Sequence, residues 1–123
     1  MDKTFFVIGS LSGALAVMLG AFGSHGLRRK LTPEAMSTFE IGVRYQMVHA
    51  LAMIAASIAS LQVSHAGLAN AAGWLFAIGT LLFSGSLYLL VFTQKRWLGA
   101  ITPFGGLAFI AGWVCLALST LGG

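Results

Sequence analysis

His49 is the residue of this chain best equipped for chemistry. Imidazole is the side chain whose ordinary pKa lets its charge change between pH 5 and 8. His49 sits in an apolar run with Gln46 three residues and Tyr45 four residues before it, a spacing that gathers all three on one face of a helix. Ser84, Ser86, Tyr88 and Thr102 offer further polar groups in later apolar runs, and His25 follows the first run. One reading of this set is structural: a neutral imidazole hydrogen-bonded across a bundle to Tyr88, Ser84 or a carbonyl. The other is a proton-exchanging or ligand-binding cluster of His25, Tyr45, Gln46, His49, Ser84, Ser86, Tyr88 and Thr102. Charged side chains at a helix centre in lipid cost about 2.5–3.5 kcal/mol. The ring is therefore expected to be neutral at pH 7 and turned into the bundle. Its hydrogen bond is expected to reach the third helix near Ser84 and Tyr88, or the first near His25.

Other chemistries find little support. The histidines lack HxxxH or HExxH spacing, so no metal site is expected. No haem between His25 and His49 and no other cofactor is expected. Gly105 and Gly106 lack the strand and lysine of a phosphate loop, and no serine sits in a nucleophile motif. The apolar runs contain no Asp or Glu, which weakens a proton-pump reading. Cys115 is the single cysteine; it excludes an intrachain disulfide and reads as a small packing residue.

The elements that position these groups are four apolar runs at residues 5–23, 42–61, 71–92 and 103–121. A helix of about 20 such residues crosses a hydrocarbon core of about 30 Å. Runs this long and continuous do not fit the alternating strands of a barrel. The chain has 123 residues, 58% hydrophobic and 8% charged. It is expected to be all-α: a single polytopic domain, 1–123, of four transmembrane helices in an antiparallel bundle. The first run is longer than a signal-peptide core and is expected to be retained.

The net charge of +4 does not indicate nucleic acid. Arg28, Arg29, Lys30, Lys95 and Arg96 flank apolar runs and Arg44 stands at the entry to the second, as interfacial residues facing anionic lipid do. They fall on one side of the membrane if the runs alternate, whereas the loop at 62–70 has no Lys or Arg. The positive-inside rule then puts both basic loops in the cytoplasm and both termini outside. Lys3 dissents, beside Asp2.

The second helix is expected to begin before its apolar run, with Thr32 as N-cap, Pro33 at its first position and Glu34 in its first turn. Leu31 and Met36 have the spacing of a hydrophobic staple. Met36, Phe39, Val43 and Met47 form an apolar stripe, so this N-terminal extension reads as amphipathic and cytoplasmic, with Gly42 as the place for a bend. Thr102 is expected to cap the fourth helix, and Trp97 to anchor at the interface. Small residues repeat at helical spacing in the first helix (Gly9, Gly13, Ala16, Gly20, Gly23) and the fourth (Gly105, Ala108, Gly112, Cys115, Ser119). Such stripes let membrane helices approach closely; here they serve the bundle, a homo-oligomer, or both.

Four segments together carry a resemblance: residues 21–27 (AFGSHGL), 45–51 (YQMVHAL), 82–88 (LFSGSLY) and 101–106 (ITPFGG), with Gly112 and Trp113 following. In that order and spacing the chain resembles domain-of-unknown-function family 423, the YgdD-like small bacterial membrane proteins with eukaryotic relatives. Ser24 stands where the family often has Ala. The resemblance implies a four-span protein of the bacterial inner membrane and brings no reaction with it. The functional expectation is a non-enzymatic bundle acting as scaffold, accessory subunit or lipid-interacting protein. The alternative is a small channel or transporter for protons or a small solute, built on the polar cluster around His49.

Overall fold

Thr32 shows how the sequence sets the first long element. Its hydroxyl oxygen accepts a hydrogen bond from the Ala35 amide at 3.1 Å, and Pro33 follows it in the first turn. Leu31 packs on the cluster that contains Met36, completing the expected staple. The computed structural model describes residues 3–63 and 65–121; Asp2 lies outside them. Among the described residues the order is α1 (Thr4–Phe22), a π-helical turn (Gly23–Leu27), α2 (Pro33–Ala59), α3 (Ala66–Thr93), a 3-10 turn (Arg96–Ala100) and α4 (Thr102–Leu118). Counting the turns that extend α1 and α4, the four helical stretches have 24, 27, 28 and 23 residues. The shortest spans about 34 Å at 1.5 Å per residue, enough to cross a bilayer core. The protein is an all-α chain with four candidate membrane spans.

Two boundaries differ from the sequence reading. α3 begins at Ala66, before the apolar run at 71, because the small residues ahead of that run continue the helix. Thr102 does not cap α4: the cap position is Ile101, and the Thr102 hydroxyl is engaged with Ser86 Oγ instead. At the end of α3, Gln94 adopts a left-handed conformation with φ 59°, which terminates the helix where glycine is the usual choice.

The helices pack largely in chain order. α1 lies on α2, α2 on α3 and α3 on α4, while α1 barely meets α3. Gly9 of α1 meets Ala50, Met53 and Ile54, Gly20 meets Val43, and Gly23 meets the Phe39 ring. Numbers ascend on α1 as they descend on α2. Both small-residue stripes are consumed within the chain. A Cβ at Gly9 would come to 2.7 Å from the Ala50 carbonyl oxygen, one at Gly112 to 2.7 Å from the Phe76 ring, and one at Gly105 would run into the backbone of Phe83. The stripes therefore account for the contacts of α1 and α4 without invoking a second copy. Gly42 has the same purpose, since the Tyr88 ring occupies the place of its missing Cβ.

Two apolar clusters result. Phe5, Met53, Phe76 and Phe109 form one with Ala52, Ala56 and Ala72; Met36, Phe39 and Val91 form the other, near the π turn. Cys115 packs on the first as a free thiol. Large side chains such as Leu11 (66% exposed) and Leu81 (74%) point outward. Four helices covered with such residues suit lipid rather than water.

Candidate functional site

The buried polar groups divide into two constellations, one joining α2 to α1 and α3 and the other joining α2 to α4. Gln46, 3% exposed, holds the first. Its Nε2 donates to the Ser12 carbonyl at 2.9 Å, and its Oε1 accepts from the Tyr88 hydroxyl at 2.6 Å. A carbonyl can only accept, so the amide orientation is fixed. One side chain thus ties α1, α2 and α3 together. Close by, Ser84 Oγ donates to the Gly42 carbonyl at 2.7 Å.

His49 holds the second. Its Nδ1 lies 2.8 Å from the Tyr45 carbonyl, and the Trp113 indole N–H donates to Nε2 at 3.1 Å. Indole can only donate and the carbonyl only accept, so the ring is neutral, with its proton on Nδ1. The imidazole stacks on Phe109 with centroids 3.5 Å apart and planes 10° apart, and the Tyr45 ring lies nearly parallel beside the pair, 6.2 Å from the imidazole. The neutral, inward-facing ring matches the sequence reading, but its partner does not. The bond goes to Trp113 of α4, not to Ser84 or Tyr88 of α3 and not to His25. Tyr88 is already committed to Gln46, one turn before His49.

The remaining candidates separate. Ser86 pairs with Thr102 and joins α3 to α4. His25 is exposed on the π turn. It stands beyond Gly23, about 15 Å along α1 from Gly13, which packs at Ala50 beside His49. Arg28, Arg29, Lys30, Lys95 and Arg96 are exposed at the helix ends, as is Trp97, and Arg44 is exposed within α2. The candidates do not share one level along the bundle. Gln46 is level with Ser12 in the middle of α1, and His49 with Phe109 and Trp113 in the middle of α4, whereas the Ser86–Thr102 pair marks the start of α4. No group of three or more His, Cys, Asp or Glu able to hold a metal occurs among the described residues.

Because α1 and α3 barely meet, a cleft of about 560 Å³ opens between them above α2. Leu11, Leu15, Trp74 and Leu81 form its exposed rim; Gln46, Ser84 and Tyr88 lie at its base. Trp74 also packs edge-on against Phe5, with centroids 5.1 Å apart. Sequence reasoning missed three participants. The Ser12 carbonyl gives no side-chain signal. Trp113 could have been found, because an indole N–H inside a span requires an acceptor. Phe109, four residues before Trp113, marks the same face.

Residues 19–106 match the family described as Protein of unknown function (DUF423). The chain belongs to this family. The matched segment contains Gln46, His49, Ser84, Tyr88 and Thr102, but neither Ser12 nor Trp113. It is similar to the UPF0382 membrane protein SH2409 of Staphylococcus haemolyticus, 50% identical over 118 residues that cover 96% of this chain and 95% of the relative. The UPF0382 membrane protein YwdK of Bacillus subtilis is 43% identical over 119 residues, 97% of each chain. The UPF0382 membrane protein SERP0230 of Staphylococcus epidermidis is 47% identical, covering 97% of this chain and 96% of its own. No solved structure matches this family member.

Proposed function

We propose that this DUF423 protein is a non-enzymatic membrane bundle that takes the tail of a lipid-soluble molecule into the cleft between α1 and α3. The observation that carries the reading is the state of the interior polar groups. Gln46, His49, Ser84, Ser86 and Tyr88 are all engaged in hydrogen bonds between or within helices. Groups held this way fix helix register. A general acid–base pair would need a free position aimed at a substrate, and a conduction path would need open polar groups along it. Ser57 Oγ is the buried side-chain polar atom without a partner among the described residues. The large interior opening is instead apolar along its walls, and its volume falls in the range of small-molecule sites.

A fatty acid with a photoactivatable group at its tail, incorporated into proteoliposomes, tests this reading. Labelling should concentrate on Leu11, Leu15 and Leu81. Ala77→Phe, which fills the cleft, should remove most of it and leave labelling of Phe6, Leu107 and Ile110 unchanged. Equal labelling of all the outward leucines and isoleucines, insensitive to Ala77→Phe, would refute it.

A further inference from the structure

A second opening lies at the other end of α2, away from the cleft and independent of the reading above. Where the π turn leads into α2, a groove of about 550 Å³ is lined by Arg28, Arg44 and Glu40 and by the apolar Leu31, Met36 and Ile41. Arg28 comes from the loop and Arg44 from the fourth turn of α2, so the fold brings together two guanidiniums that the sequence separates. Both are exposed, and neither side chain makes a hydrogen bond or ion pair with another described residue. Two uncommitted forks over an apolar base suit a phosphodiester whose acyl chains begin at Leu31, Met36 and Ile41. The position also fits, because the groove joins the basic loop to the start of a membrane span, at the depth of lipid headgroups.

We propose that this groove binds the headgroup of an anionic phospholipid. Charge decides the class. Two guanidiniums and one carboxylate leave the groove with one net positive charge, which a monoanionic headgroup neutralises and a zwitterionic one does not. Lys30 and Arg96 line a separate groove at the same end of α2 and add only a general attraction.

Native mass spectrometry of the full chain in mild detergent tests this, with equimolar phosphatidylglycerol and phosphatidylcholine of matched acyl chains as probes. The wild type should retain phosphatidylglycerol in preference. Arg28→Gln or Arg44→Gln should reduce that preference about 5-fold each, and the double variant about 30-fold. Lys95→Gln/Arg96→Gln removes the same charge elsewhere and should change it less than about 2-fold by the same reasoning. Glu40→Gln should strengthen phosphatidylglycerol retention. An equal loss in the Lys95/Arg96 variant would mean diffuse attraction and overturn the site. So would a loss of retention in Glu40→Gln, the mark of a zwitterionic ligand. Should the double variant not fold by far-UV circular dichroism, the single variants and the charge-keeping Arg28→Lys/Arg44→Lys carry the same test.

Discussion

Gly9 and Gly13 lie one turn apart on the face of α1 that packs on α2, yet adding the same methyl group should have opposite effects. At Gly9 the new Cβ would stand 2.7 Å from the Ala50 carbonyl oxygen, 3.0 Å from Ile54 Cγ1 and 3.1 Å from Met53 Cβ. The nearest obstacle is backbone, which no rotamer change can move. The helices must separate locally, and overpacking of this kind costs about 1–3 kcal/mol. At Gly13 the nearest atom is Ala50 Cβ at 3.8 Å, an ordinary van der Waals contact. Gly13→Ala should be neutral or stabilising by up to about 1 kcal/mol, from helix propensity and the added contact. Reversible unfolding in mixed micelles, followed by far-UV circular dichroism, should separate the two variants by at least about 1 kcal/mol, the lower end of the overpacking cost. Equal effects, or a more stable Gly9→Ala, would show that α1 does not lie on α2 as described.

The His49–Trp113 bond predicts a coupling of about 0.6–1.7 kcal/mol in a double-mutant cycle of His49→Phe and Trp113→Phe, the range found for interhelical bonds in membranes; zero coupling would place their partners elsewhere. His49→Gln should cost more than the lost bond alone, by about 0.5–1.5 kcal/mol, because the amide cannot replace the stacking on Phe109. At the left-handed Gln94, Gln94→Gly should stabilise the chain by up to about 1 kcal/mol, measured by the same unfolding assay. For topology, cysteines at Gln62 and Lys95 in a Cys115→Ser background should react oppositely to an impermeant thiol reagent added to intact cells. Labelling at Gln62 alone fits the basic loops being inside, and labelling at Lys95 alone inverts it.

The spans and the start of α2 were legible because local signals produce them. Continuous apolar runs fixed the helices, and Thr32, Pro33 and Leu31 act within one turn of α2. The stripes were legible as close-packing surfaces, though only the contacts of Gly9 and Gly105 show that the chain itself uses them. The polar cluster was read less well. Its membership rested on residue type, while its division depends on which side of α2 each residue faces and which neighbour lies there. Gln46 and His49 are three positions apart and face different helices. Thr102 looked like a cap because its chemistry permits it, but the hydroxyl of Ser86 lies within reach and claims it. The α1–α3 cleft has no signature in the sequence, because it arises from two helices failing to touch.

The clasp between Gln46 and Ser12 has a consequence for how such a chain can diverge. The acceptor is a main-chain oxygen, which every amino acid supplies, while the donor must be a side chain of particular length and chemistry. Position 12 is therefore free to drift as long as its residue suits the lipid and the helix, whereas positions 46 and 88 can change only together. A comparison of many relatives that sought linked substitutions would find the joint between α2 and α3 and overlook the one between α1 and α2, although the same carboxamide makes both.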